Sequence, residues 1–352
     1  MKKQSVTLVQ VAAKAGVSVM TASRALSGEG YSSEETRAKV QAAAKALGYA
    51  PNALARMMKG GKTNVIGVVV NDLSSTVVNA FVTAVSEEVR KYQMDLFIYS
   101  SLGELGDSKG QRLSQMLHGL WDGLLYVLPR MSGDYLKTLE ESDSPIVLLN
   151  YVRETSLPVV LGDNSNGAHD AVADLIALGH TRIAFVRGTA NTGQSLERET
   201  GYRRALQEAG LKFDAQLVQQ GDFGEQSGLE AGRLLLALDK PPSAIFCAND
   251  AMALGCMNAI RERGLQIPQD ISVLGFDDMP AAAVAQPGLT TLRHPVAAMA
   301  QAAVQELMRR IQGQPGRRQR IEFPSELVVR ESTGPAPSAA APRARKARRQ
   351  SA

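Results

Sequence analysis

Apolar residues recur at two different periods along this chain, and the change between them divides it. Through the first sixty residues the period is helical. Thr7 followed by Gln10 is a capping-box pattern, so a helix is expected to begin at Leu8 and run through Val11, Ala12 and Ala15. Gly16 supplies the left-handed position that ends it. Ser18 then caps a second helix, Val19 to Leu26, after a turn of only three residues, which is helix-turn-helix spacing. Within it Val19, Met20, Ser23 and Arg24 lie on or near one exposed face, while Ala22 and Leu26, four apart, turn inward. Ser33 caps a third helix, Glu34 to Leu47, whose apolar stripe is Val40, Ala43, Ala44 and Leu47 and whose stop is Gly48.

Beyond Gly60-Gly61 the pattern changes to short apolar runs rich in β-branched residues: Val65 to Val70, Leu96 to Tyr99, Gly123 to Leu128, Ile146 to Leu149, Val159 to Leu161, Ile183 to Val186, Ala244 to Cys247 and Ile271 to Gly275. Runs of this kind are expected of parallel strands buried on both faces. Helical patterns lie between them, at Val78 to Lys91, Asn166 to Leu178, Tyr202 to Ala209, Glu225 to Leu238 and Ala251 to Arg263. Strand alternating with helix predicts a doubly wound α/β body, in which ligands bind beyond the carboxyl ends of the strands. Those ends are polar here, carrying Asn71-Asp72, Asn150, Asp163-Asn164, Asn249-Asp250 and Asp277-Asp278. Asn and Asp also cap helices and make turns, so each has a purely structural reading too.

Charge sharpens the division. Residues 1 to 60 hold nine Lys/Arg against three Asp/Glu, residues 61 to 330 hold 25 against 31, and residues 331 to 352 hold five against one. A basic head on an acidic body suggests that the head meets a polyanion. No run approaches the roughly 18 to 20 apolar residues that span a bilayer, so no membrane partner is expected. Two cysteines, Cys247 and Cys256, form neither a disulfide framework nor a metal motif, which fits a reduced cytoplasmic setting. Between head and body, Ala53 to Lys59 is a run of good helix formers too short to be stable alone. The last segment, with its Pro, Ala and Arg-Lys cluster, reads as a disordered tail.

The stretch VTLVQVAAKAGVSVMTASRALSG, followed by YSSEETRAKVQAAAKALGYAPNALARMMKGG, resembles the headpiece of the lactose-repressor (LacI/GalR) family of bacterial regulators. DNSNGAHDAVADLIALGHTRIAFVRG, SLERETGYRRAL, AIFCANDAMALG and ISVLGFDD continue the resemblance to about residue 330. It implies a helix-turn-helix headpiece (1–50), a hinge helix and linker (51–61), a two-lobed periplasmic-binding-protein-like domain with parallel sheets (62–330) and a tail (331–352). In the family the second helix enters the major groove. Val19, Met20 and Arg24 then fall on base-reading positions, Arg24 with the chemistry for guanine. Thr7, Thr21, Ser23, Tyr49 and Asn52 fall on phosphate-backbone positions, which set register. The hinge contributes Ala55 and Met58, the latter where the family wedges a Leu into the minor groove. Gln10 departs from the family's usual Asp.

For the body, the resemblance assigns Arg198, Asn249 and Asp277 to gripping sugar hydroxyls, Phe223 to stacking on the ligand and Asn150 to a further pocket position. The implied partners are a near-palindromic operator in double-stranded DNA, a sugar-like effector and a second copy of the chain; no cofactor is implied. An enzyme is not expected, since GxSxG, HExxH, GxxxxGKS/T and CxxC are all missing from the sequence and His118, His169, His180 and His294 are scattered. Two rivals remain: an extracytoplasmic sugar-binding protein, against which the headpiece argues, and a regulator that senses a protein partner instead of a small molecule.

The hinge generates one prediction. Met58→Ala should weaken operator binding well beyond any effect on folding, measured by fluorescence anisotropy beside a thermal melt; equal operator affinity would refute the wedge.

Overall fold

The computed structural model describes residues 6–27, 31–49, 63–101, 120–131, 135–190, 192–314 and 320–337. Two compact units make up the chain, one built on the N-terminal helices and one on residues from Val65 onward.

The head holds α1 (Leu8–Ala15), α2 (Val19–Ser27) and α3 (Glu34–Leu47). Thr7 caps α1 as the sequence predicts: its amide donates to Gln10 Oε1 at 2.9 Å, and its hydroxyl accepts from the Gln10 amide at 3.4 Å. Ser18 and Ser33 cap the other two helices, accepting from the amides of Thr21 and Thr36. Gly16 and Gly48 close α1 and α3 in the left-handed conformation. Val11, Ala12, Ala22, Ala25, Val40, Ala43 and Ala44 form a small buried core, with Leu26, Leu47 and Tyr49 packed against it. The core is built mostly of alanines, which lets three short helices approach closely.

The body has two six-stranded sheets. The first runs β11 (Arg320–Phe323), β5 (Val159–Gly162), β4 (Ile146–Leu149), β3 (Gly123–Val127), β1 (Val65–Val70), β2 (Asp95–Ser100), all parallel. Helices α4 (Thr76–Arg90) and, late in the chain, Val296–Ile311 bury Phe81, Val85, Val89, Met299 and Leu307 in its core. The second sheet runs β12 (Glu326–Val328), β10 (Thr290–Arg293), β9 (Ser272–Asp277), β8 (Ala244–Cys247), β6 (Ile183–Arg187), β7 (Val218–Gln220). Only β12 is antiparallel to its neighbour. Helices Asn164–Ala177 and Gly193–Glu208 pack together, as do Glu225–Leu236 and Asp250–Glu262. Among the described residues no helix is long and apolar enough to cross a membrane.

The chain passes between the sheets three times, after β5, β10 and β11. These crossings run side by side. The Asp163 amide donates to Phe323 O at 2.8 Å, Ser325 Oγ donates to Asp163 O at 3.0 Å, and the His294 ring packs on Gly162.

Two expectations need correction. The run Leu96 to Tyr99 is not buried on both faces: β2 is an edge strand, and Phe97 and Ile98 are 45% and 40% exposed. Residues 331–337 do not open a disordered tail. Ser332 is fully buried, accepting from the Thr290 amide at 2.8 Å and donating to Val273 O, and the Ala336 amide donates to Leu178 O. Polar Ser and Thr there pair with strand ends of the second sheet, a role that composition does not reveal. The rest of that segment and the hinge lie outside the described residues.

Close approach decides one helix contact. Gly201, in the helix Gly193–Glu208, stands so near Ser165 O, the His169 amide and Ala168 Cβ that no β-carbon fits. Gly201→Ala should force that helix off its partner and destabilise the body by about 1 to 3 kcal/mol in urea unfolding. An unchanged midpoint would contradict this packing.

Candidate functional site

In the head, the capped N-terminus of α2 presents Val19 and Met20, 44% and 65% exposed. Arg24 lies one turn further on and is exposed, Thr21 and Ser23 are half-buried beside them, and Thr7 is exposed at the start of α1. Tyr49 instead packs partly into the headpiece core. Apolar side chains left in water beside an arginine on a short helix suit a groove lined by thymine methyls and guanine edges. Asn52, Ala55 and Met58 lie outside the described residues.

In the body, all five predicted ligand residues stand at or beyond the carboxyl ends of strands or just past them in helices, where a doubly wound sheet exposes its ligand edge. Arg198 is the centre. It sits in the second turn of helix Gly193–Glu208 and is 3% exposed. Its Nε donates to Asn164 Oδ1 at 2.9 Å, Nη1 to the Ala248 carbonyl at the end of β8, and Nη2 to Asp277 Oδ1 at 3.3 Å and His294 Nε2 at 3.0 Å. The guanidinium also lies 3.6 Å from the centre of the Phe276 ring.

Asn249 follows β8 and does two jobs. Its Oδ1 caps helix Asp250–Glu262 by accepting from the Met252 amide at 3.0 Å, and its Nδ2 donates to the Phe223 carbonyl at 2.9 Å. The Phe223 ring in turn covers Gly188 at the end of β6. Asn150 follows β4 in the first lobe, and its carbonyl accepts from Gln194 Nε2 in the second, so the carboxyl edges of the two sheets meet. Asn150, Phe223 and Asp277 all have positive φ, at 60°, 72° and 112°. For Phe and for the Asp277 value this backbone is strained by about 1 to 3 kcal/mol, and such strain gathers at binding sites.

Burial distorts the protonation of this cluster. It pushes the Asp277 carboxyl up to about 6, against the pull of Arg198. Burial, reinforced by the charge of Asp277, pushes Asp250 up to about 8 although Thr291 and the Met279 amide both donate to it. Burial also holds the His294 imidazole well below the ordinary range, and the Arg198 charge adds to this. Asp278 adds a smaller upward push on Asp250 and is itself paired with Arg293 at 2.7 Å and Arg330 at 2.6 Å.

Sequence reasoning missed Gln194, Asn164 as a partner of Arg198, and His294. His294 is drawn in only by the fold, since it contacts residues far from it in the chain. His180 is structural, fully buried between Ser243 Oγ at 2.9 Å and Gly334 O at 3.0 Å. A surface cavity of about 420 Å³ lies beside Arg187, Ser195, Glu199 and Arg203. Both of its arginines are bound to Glu199, at 2.6 and 2.7 Å. Among the described residues no group of His, Cys, Asp or Glu is placed to hold a metal ion.

Comparison with known proteins agrees with both halves. Residues 7–52 match the model for bacterial regulatory proteins of the lacI family, and residues 172–333 match the periplasmic binding protein-like domain. Catabolite control protein A of Priestia megaterium is 32% identical over 94% of this chain and 99% of its own. A solved complex of the transcriptional regulator CelR with cellobiose is 31% identical over 93% of this chain and 99% of its own, with a TM-score of 0.71. The lac repressor dimer bound to operator and an anti-inducer is 28% identical over 94% of this chain and 100% of its own, with a TM-score of 0.84.

The buried carboxyls generate a pH prediction. Asp277 and Asp250 ionise near 3.8 when free and near 6 and 8 in the fold. Their contribution to stability is therefore whole below about 3.8 and is lost as pH rises through 6 and 8. Asp250→Asn cannot ionise. Between pH 4.5 and 8.5 the unfolding free energy of the wild type from urea titration should fall relative to this variant, by about 5 kcal/mol at most at about 1.4 kcal/mol per pKa unit. Parallel pH curves would contradict a buried, protonated Asp250.

Proposed function

The chain belongs to the lacI family of bacterial regulatory proteins, and on that premise we propose that a small sugar-like effector, held around Arg198 between the lobes, sets its affinity for a near-palindromic operator. It is a sequence-specific DNA-binding transcription regulator with a ligand-binding body, and in this reading it represses genes of carbohydrate use as a homodimer. The observation that carries the reading is the convergence of Asn150, Arg198, Asn249 and Asp277, all buried, and the partly buried Phe223 on one edge, with Phe223 and Asp277 in strained backbone.

The roles follow from the chemistry. Asp277 accepts from effector hydroxyls, Arg198 donates to them, and Phe223, its backbone pinned by Asn249, covers an apolar ring face. Because Asn150 and Gln194 bond across the lobes, an effector that separates or tightens them changes how the lobes sit. A coupling of about 1 to 3 kcal/mol is enough to alter operator affinity 5- to 150-fold. On DNA, Arg24 makes a bidentate contact to guanine, Val19 and Met20 meet thymine methyls, and Thr7, Thr21, Ser23, Tyr49 and Asn52 hold the phosphates. Ala55 and Met58 complete the contact from the hinge. The cellobiose complex of CelR supports a sugar as the effector class.

A thermal-melt screen against sugars, sugar acids, sugar phosphates and nucleobases tests this. A bound effector at 100 times its Kd stabilises by about 2.7 kcal/mol. The expected hit vanishes in Asp277→Ala while that variant still binds operator DNA. A screen that shifts nothing, or a hit indifferent to Asp277, would overturn the effector reading and favour a protein partner.

A further inference from the structure

Where the carboxyl edges of the two sheets meet, two buried polar atoms have no partner, Nδ2 of Asn150 and Nδ1 of His294. Both residues are nearly inaccessible, at 1% and 3% exposure. They meet at Gly162. Its amide donates to Asn150 Oδ1 at 3.4 Å, and the imidazole stands where a side chain at position 162 would otherwise be. The lack of a β-carbon at Gly162 is what allows the ring and the amide to approach.

The neighbour of His294 fixes which ring nitrogen carries hydrogen. A guanidinium has only donors, so Nε2, 3.0 Å from Arg198 Nη2, must accept. The proton of the neutral ring is then on Nδ1, and the atom without a partner is a donor. Asn150 Nδ2 is a donor as well. A donor left buried and unpaired is costly, and an incoming acceptor offsets that cost.

The acceptors around these donors are already engaged. The Asn150 carbonyl takes Gln194 Nε2, the Gly162 carbonyl takes Asn164 Nδ2 at 3.0 Å, and Asn150 Oδ1 takes the Gly162 amide. Each of these oxygens already takes one hydrogen bond, so two donors and no unengaged acceptor face the incoming group, which favours lone pairs over a hydroxyl proton. We propose that this floor selects an oxygen that carries lone pairs and no hydrogen: the effector presents a carboxylate or carbonyl oxygen to His294 Nδ1 and Asn150 Nδ2, as a sugar acid or a nucleobase does. The inference rests on the reading of the cleft as the effector site, and it makes His294 a specificity-determining residue.

Calorimetric titration of the full chain tests it with galacturonate, glucuronate and gluconate in one arm, hypoxanthine and uracil in a second, and galactose, glucose and cellobiose in a third. Binding in the first arm identifies a sugar acid and in the second a nucleobase. His294→Gln keeps both an acceptor for Arg198 and a donor for the effector, so it should retain binding of that probe. His294→Leu and Asn150→Asp should each weaken it about tenfold or more, with folding checked by melting. Binding confined to the neutral sugars would overturn the inference and leave the cleft reading intact. An acid or base whose binding ignores both weakening variants would overturn it too, and silence in all three arms would count against inference and cleft together.

Discussion

The buried guanidinium of Arg198 is the constraint on which the body is organised. A charge removed from water is tolerated only when its hydrogen bonds are met, and removing one partner of such a group typically costs about 3 to 5 kcal/mol. Here the partners come from four places far apart in sequence: Asn164 after the first crossing, Ala248 at the end of β8, Asp277 at the end of β9 and His294 at the second crossing. Satisfying one side chain therefore fixes two strand ends and two of the three passages between lobes. Phe276 beneath the guanidinium and His294 against Phe276, with ring centres 4.9 Å apart, close the cluster from the apolar side.

That arrangement divides the labour of the site. Asn249 is committed to capping its helix and pinning the Phe223 backbone, so the aromatic wall is built before any effector arrives. Asn150 and Gln194 join the two lobes, and in the proposed reading theirs is the bond that an effector rearranges. Strain at Phe223 and Asp277 is held in place by this network. In the proposed reading the bond across the lobes is where an effector acts, since a ligand can shift an equilibrium only through contacts that differ between its states.

The headpiece was almost wholly legible in the sequence because its signals are local: Thr7, Ser18 and Ser33 announce starts, and Gly16 and Gly48 announce stops. The body was legible where strands are buried runs. It was less so where side chains face the site. The helix carrying Arg198 begins at Gly193, nine residues before the Tyr202 start that periodicity suggests, because its first turns bury Gln194, Ser195, Arg198 and Glu199 and so lack an apolar stripe. Strands β7, β10, β11 and β12 carry Gln219, Thr290, Arg320 and Glu326 within runs of three or four residues, so they do not stand out as apolar runs. His294 meets Arg198 across 96 residues, and nothing near it in sequence marks that contact.

The central claim is that the Arg198 cluster communicates with the DNA-binding helices. Fluorescence anisotropy of a labelled operator, titrated with the full chain at several concentrations of whichever probe binds, measures this directly. The account predicts that operator affinity shifts 5- to 150-fold with saturating probe, and that DNA changes probe affinity by the same factor. A probe that binds through Asp277 yet leaves operator affinity unmoved would contradict it.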